Sequence, residues 1–147
     1  MKKEIKELVQ FALSDKLNKH KSIVIGKVTK KQALVIQKET GIDMYGCERI
    51  IDTSVIRHII RRHSSPKSEE KLGQIAITLD DFENIPKYLS SAYKMEYLGK
   101  NKLDQDVFQY ETIDNGTVII LEAVRINKYG NKMLIETMYK KKKSNRK

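Results

Sequence analysis

Residues 57–66, RHIIRRHSSP, place two of the chain's three histidines among three arginines. Histidine titrates near neutral pH and can take or give a proton, and arginine can meet a phosphate with a planar fork of donors. The combination suits acid–base work on a phosphate ester. In a helix each residue turns by about 100°, so Val55, Ile56, Ile59 and Ile60 share a stripe and His63 falls near its centre. His58 then lies on the flank beside Arg62, while Arg57 and Arg61 face away. The two histidines come out about 140° apart, too far for the i, i+4 pair that binds zinc on a helix. Neither a metal nor a cofactor is expected. The plain alternative for His63 is a buried, hydrogen-bonded residue that closes the helix and meets the negative end of its dipole.

A second set of reactive groups lies near the C-terminus. In a strand of period two, Met133, Ile135, Thr137 and Tyr139 project to one face, which puts a hydroxyl and a phenol side by side. Arg125, at the end of the preceding apolar segment, alternates with Leu121 and Ala123, and Lys132 opens the last segment. A hydroxyl, a phenol and cations on one sheet face make a phosphate site, though Thr and Tyr are also ordinary strand residues. His20 sits in a lysine-rich stretch and reads as a surface residue. Asp80, Asp81 and Glu83 read as acids at a helix start rather than as metal ligands. Tyr88, Tyr93, Tyr97, Tyr110 and Tyr129 serve either as packing or as base-stacking platforms.

The elements that must position these groups follow from periodicity. Ile5, Leu8, Val9, Ala12 and Leu17 give an amphipathic helix within residues 1–21. Residues 22–28 form a short strand, and Lys31 to Gly41 is assigned to a helix that stops at glycine. A strand up to Ile51 leads into a helix opened by Asp52 and Thr53 and ended by Ser64, Ser65 and Pro66. Lys67 to Gly73 is polar and loop-like. Thr78 and Asp81 form a capping box before a helix that is kinked or restarts at Pro86. From Tyr93 the period becomes two, in the segments YKMEYLGK, DVFQYETI, TVIILEAVR and KMLIETMY, divided by turns such as Asp114-Asn115-Gly116. The expected fold is α+β, with helices first and a four-stranded antiparallel sheet last. It forms one domain over residues 1–139, followed by a basic, disordered tail over 140–147.

The chain of 147 residues carries 29 lysines and arginines against 19 acids, a net charge of +10. That balance favours an anionic partner such as nucleic acid. Six of the basic residues lie in the final KKKKSNRK, which acts either as a polyanion hook or as a solubilising end. One cysteine, Cys47, excludes an internal disulfide and a thiolate cage. There is no secretory h-region and no apolar run long enough for a bilayer, so a cytoplasmic protein without membrane contact is expected.

The runs TGIDMYGCERIIDTSVIRHIIRRH, GQIAITLDDFENIPKYL and LIETMYK resemble, in this order and spacing, the phage-associated nuclease domains of the barnase, EndoU, colicin and RelE superfamily. The resemblance covers Gly26 to Lys140. It implies a fold of helices followed by a four-stranded antiparallel sheet, and metal-independent cleavage of RNA by histidine with hydroxyl or phenol groups. Carried over by motif, the catalytic residues are His58, His63, Thr137 and Tyr139, with Arg125, Lys132 and Arg62 as phosphate contacts. It also implies RNA as partner, an immunity or antitoxin protein in a toxin setting, attachment to a phage head protein, and delivery into the cytoplasm with a phage particle. The competing expectations are a nucleic-acid-binding accessory that keeps the fold without turnover, and a phage structural module.

Overall fold

The computed structural model describes residues 1–14 and 19–142. Leu17 and the tail residues 143–147 lie outside the described residues.

Helix α1 (Lys2–Leu13) turns Ile5, Leu8, Val9 and Ala12 inward. Strand β1 (Ser22–Lys27) precedes helix α2 (Lys30–Thr40), whose first turn is capped by the Thr29 side chain accepting from the Gln32 N–H. Gly41 ends α2 at φ 77°, the left-handed conformation that glycine adopts without a Cβ clash. Strand β2 (Glu48–Asp52) runs directly into helix α3 (Thr53–His63), where the Asp52 carboxylate accepts from the Ser54 N–H.

The segment after α3 is not a loop. Pro66 opens helix α4 (Pro66–Lys71), because its fixed φ and missing N–H cost nothing at the first helical position. The two-residue strand β3 (Gln74–Ile75) leads to the capping box of Thr78 and Asp81, with both reciprocal bonds formed, at the start of helix α5 (Leu79–Glu83). Pro86 sits in the first turn of a separate helix, α6 (Ile85–Ser90). Strands β4 (Lys94–Lys100), β5 (Asp106–Ile113), β6 (Thr117–Arg125) and β7 (Lys132–Lys141) then form the expected meander.

The sheet nevertheless has seven strands rather than four, in the order β1-β2-β7-β6-β5-β4, with β3 also on β7. β2 runs parallel to β7, from Glu48 opposite Lys132 to Ile50 opposite Leu134, and β1 adds antiparallel to β2. A parallel neighbour is reached by a long crossover, so no turn signal announces the pairing. β7 also runs past Tyr139. Lys140 is buried with Nζ 2.7 Å from Asp81 Oδ1, so the expected domain boundary falls inside the strand.

One irregularity in β7 sets its faces. Leu121 pairs with Thr137 but Glu122 pairs with Ile135, which leaves Glu136 as the extra residue of a bulge. An inserted residue reverses the alternation beyond it. Met133 and Ile135, then Met138 and Lys140, are the buried residues of β7, whereas Leu134, Thr137 and Tyr139 are half-buried on the opposite face. Thr137 and Tyr139 therefore do share a face, but Met133 and Ile135 are not on it.

The helices cover the other face. Ile5, Leu8, Ile36, Ile56 and Ile59 join Phe108, Tyr110, Ile120 and Met138 in one core. Inside it, Arg49 Nε donates to Glu122 Oε2 at 3.0 Å, and Tyr110 donates to the second Glu122 oxygen at 2.7 Å. This pair ties β2 to β6 across β7, the strand that carries half of the candidate site.

Candidate active site

β2 stops pairing with β7 at Leu134, and α3 starts at the residue after β2 ends, so the helix packs along the remaining length of β7. Ile56 and Ile59 enter the core from α3. Val55 and Ile60 pack partly buried at the margin of that core, and His63 reaches the face of the sheet that carries Tyr139, with His58 beside it.

The His63 ring lies 5.5 Å from the Tyr139 ring, inclined at 30°, and 6.3 Å from the His58 ring, nearly edge-on at 77°. The two rings are thus close despite the angle of about 140° between their helical positions, because side-chain conformation and not Cα direction sets the ring separation. His63 is 18% exposed, and its Nδ1 lies 3.3 and 3.4 Å from the two oxygens of Glu69, which is 0% exposed. With Glu69 accepting from Nδ1–H, the nitrogen left to exchange a proton with a ligand is Nε2, which has no partner among the described residues. His63 is therefore a hydrogen-bonded residue at the helix end and a member of a ring cluster at the same time.

Burial lowers the pKa of His58, and His63, Arg62 and Arg61 push it the same way. His58 is biased towards neutral imidazole, a proton acceptor. Burial and the carboxylate of Glu111 raise the pKa of Tyr139, so the phenol stays protonated at neutral pH and has a hydrogen to donate.

The other expected site residues are less tightly gathered. Thr137 neighbours Tyr139 on the open face, but its hydroxyl is covered and has no hydrogen-bond partner among the described residues. Arg62 is exposed on α3. Arg125 pairs with Lys132 at the far end of the β6–β7 ladder, four residues along β6 from the Leu121–Thr137 pair. At about 3.3 Å per residue that is roughly 13 Å, too far to meet the same phosphate as Tyr139. Lys132 is also engaged, with Nζ 2.6 Å from Glu48 Oε1. Arg125 lines a separate groove of about 570 Å³ that includes Ser54, Val55 and Glu136.

Three residues escaped the sequence reading. Glu69 belongs to α4, and the signal that could have found it is Ser65-Pro66 followed by acids, a helix start. Glu111 stands two strands from Tyr139, reached through Ile119 in the pairing, which no local pattern reveals. Glu136 is the bulge residue. His20 is a surface residue as expected, with Nδ1 3.2 Å from Asp52 Oδ2. Asp81 is occupied by its cap, by Tyr88 and by Lys140. No group of three or more His, Cys, Asp or Glu placed to hold a metal ion occurs among the described residues. No helix among them is long and apolar enough to cross a membrane.

Residues 26–147 match the model of a family described as phage-Barnase-EndoU-ColicinE5/D-RelE like nuclease3. The chain belongs to that family. It is a nuclease family of the barnase, EndoU, colicin and RelE type, with phage association in its name. The match takes in α2 through β7, and so every candidate site residue of this nuclease, but leaves out α1. No curated protein and no solved structure matches the chain.

Proposed function

We propose that this nuclease is a metal-independent endoribonuclease. RNA carries its own nucleophile: the 2′-hydroxyl attacks the adjacent phosphorus, the bond from phosphorus to the 5′-oxygen breaks, and the products are a 2′,3′-cyclic phosphate and a free 5′-hydroxyl. The attacking hydroxyl must lose a proton and the leaving oxygen must gain one. Neutral His58 takes the first. His63, oriented by Glu69, gives the second from Nε2. The Tyr139 phenol donates to a non-bridging oxygen, and Arg62 offsets the extra charge on the phosphorane. Thr137 takes part only after its hydroxyl rotates out of its covered position. Arg125 and Lys132, at their distance along the ladder, hold a neighbouring phosphate.

The observation that carries this reading is the His58, His63 and Tyr139 cluster, in which a proton acceptor, an oriented imidazole and a protonated phenol lie within 6.3 Å of one another in sequence of contact. In a cell the activity would require an immunity or antitoxin partner, and a phage head protein is the natural vehicle into a target cytoplasm.

The test is incubation with RNA in excess chelator, beside the same RNA carrying a 2′-deoxy sugar at the cut position. Cleavage of the first alone, ending in a cyclic phosphate, is expected. Cleavage of both RNAs, or activity only with added metal, would overturn the mechanism. Binding with no product from any RNA would instead leave a nucleic-acid-binding accessory on the same fold.

A further inference from the structure

The groove that Arg125 lines also holds Asp52 and Glu136, which this mechanism does not use. Its floor is Ile50 and Leu134, direct neighbours in the β2–β7 pairing, and its volume of about 570 Å³ is that of a small-ligand site. One wall is loop 101–105 with Leu103, which is 76% exposed. The loop is held in shape by Asn101, whose side-chain oxygen accepts from the N–H groups of Leu103 and Gln105 at 2.9 and 3.0 Å. The Asn101 amide also donates to Glu136 Oε1 at 2.8 Å. The bulge in β7 and the loop from β4 to β5 are thereby built into one rim.

The charged groups in the groove differ in what they have left to offer. Asp52 is saturated: Ser22 donates to one oxygen, and the Ser54 N–H and hydroxyl donate to the other, beside His20. Glu136 spends one oxygen on Asn101, and the second is unpaired among the described residues. Arg125 makes no hydrogen bond or ion pair with any described residue, and its Nε is a buried donor without an acceptor. A buried unpaired donor is costly and calls for an acceptor. A ligand suited to this groove brings an anionic acceptor to Arg125, N–H donors to Glu136, and a flat apolar body between them.

We propose that the groove is the subsite for a second nucleotide of the RNA strand, with its phosphate on Arg125 and an amino-bearing base donating to Glu136. The inference rests on the endoribonuclease reading. The placement agrees with it, since Arg125 lies roughly 13 Å along the sheet from Thr137, beyond the reach of the scissile phosphate. Adenine, cytosine and guanine present exocyclic amino donors, whereas uracil, like thymine, presents a carbonyl oxygen at that edge. A carboxylate facing that oxygen is repelled, and uracil's one ring N–H lies between two carbonyl oxygens, so the subsite disfavours uracil against the amino-bearing bases.

The experiment measures dissociation constants of the His63→Ala protein for short oligouridines in which adenine, cytosine or guanine replaces uracil at one position at a time. At one position the amino-bearing bases are expected to bind about tenfold tighter than uracil, the scale of a single good base-edge contact. In the same background Glu136→Gln can still accept from Asn101, which keeps the rim, but turns its amide N–H towards the base. The preference should then vanish or reverse. Arg125→Gln should weaken every RNA alike. A protein that cuts RNA in chelator but shows no such position, or whose preference survives Glu136→Gln unchanged, overturns the subsite and leaves the nuclease reading standing. RNA that is neither bound nor cut overturns both.

Discussion

Glu69, wholly buried, holds the Nδ1 of His63 at 3.3 Å across the junction between α3 and α4. A carboxylate with no water around it must have a partner, and its partner here is an imidazole whose other nitrogen faces the site. Glu69→Gln keeps the shape and removes the charge. We expect cleavage to fall by about 10- to 100-fold, the scale on which carboxylates orienting metal-bound histidines act. His63→Ala should cost more, on the order of 10² to 10⁴. Rates across pH, with circular dichroism to show that the fold persists, separate orientation from stability. Unchanged rates and profile in Glu69→Gln would reduce the pair to a structural contact.

His58 sits between desolvation and three positive neighbours, of which Arg62 and Arg61 are permanently charged. Its folded-state pKa is lowered, so neutral imidazole dominates at neutral pH. Arg62→Gln removes one repelling charge and should raise the His58 pKa. The sign for catalysis is then fixed: if His58 is the base, the acidic limb of the cleavage profile moves to higher pH. Titration of the His58 ring by NMR, beside the cleavage profile, checks the two shifts together. A midpoint that rises while the limb stays still would remove His58 from the proton transfer.

The parts of this site differed in how far the sequence exposed them. The stripe of Val55, Ile56, Ile59 and Ile60 was readable because burying one face of a helix imposes a period, and it put His63 near the stripe's centre, where the structure has the side chain 18% exposed against the buried Glu69. What it could not convey is side-chain conformation, which brings the His58 and His63 rings to 6.3 Å although their helical positions are about 140° apart. Thr137 and Tyr139 were correctly put on one face, yet the same alternation misplaced Met133 and Ile135, because a bulge at Glu136 adds a residue without changing residue types. β1 and β2 were readable as strands, but their docking on β7 depends on a parallel crossover and not on any local signal. Glu69 was hidden by a short helix whose polar composition resembles a loop.

Asp52 caps α3 and is held by Ser54, Ser22 and His20. Burial opposes its charge, but these bonds outweigh it and bring its pKa down to about 2. A carboxylate with a depressed folded pKa stabilises the fold above its ordinary value and loses that contribution as pH falls from about 4 to about 2. Asp52→Asn keeps a capping oxygen but cannot ionise. It should cost about 1–2 kcal/mol at neutral pH, a quarter-exposed group being partly screened, and close to nothing at about pH 1, below both pKa values. Urea unfolding at both pH values is the measurement. An equal cost at both would assign the effect to cap geometry and not to charge.

The family match begins at Gly26, but the fold does not. Helix α1 packs on α3 and α5 and buries Ile5, Leu8, Val9 and Ala12 to 5% exposure or less. Arg57 of α3 also donates from Nε to the Ala12 carbonyl at 2.9 Å. Burying an aliphatic side chain of the size of Ile, Leu or Val contributes about 1.5–3 kcal/mol, so the three in α1 approach the net stability of a whole domain, about 5–15 kcal/mol. A chain starting at Gly26 would also lose most of β1, leaving β2 as an edge. We expect it to show no cooperative thermal transition and no cleavage, since α3 carries both histidines. Ile5→Asp in the full chain, which puts a charge against the α3 stripe, should lower the melting temperature while leaving the site residues in place. If the chain from Gly26 melts and cuts like the full chain, α1 is an appendage and the position of α3 is set by β7 alone.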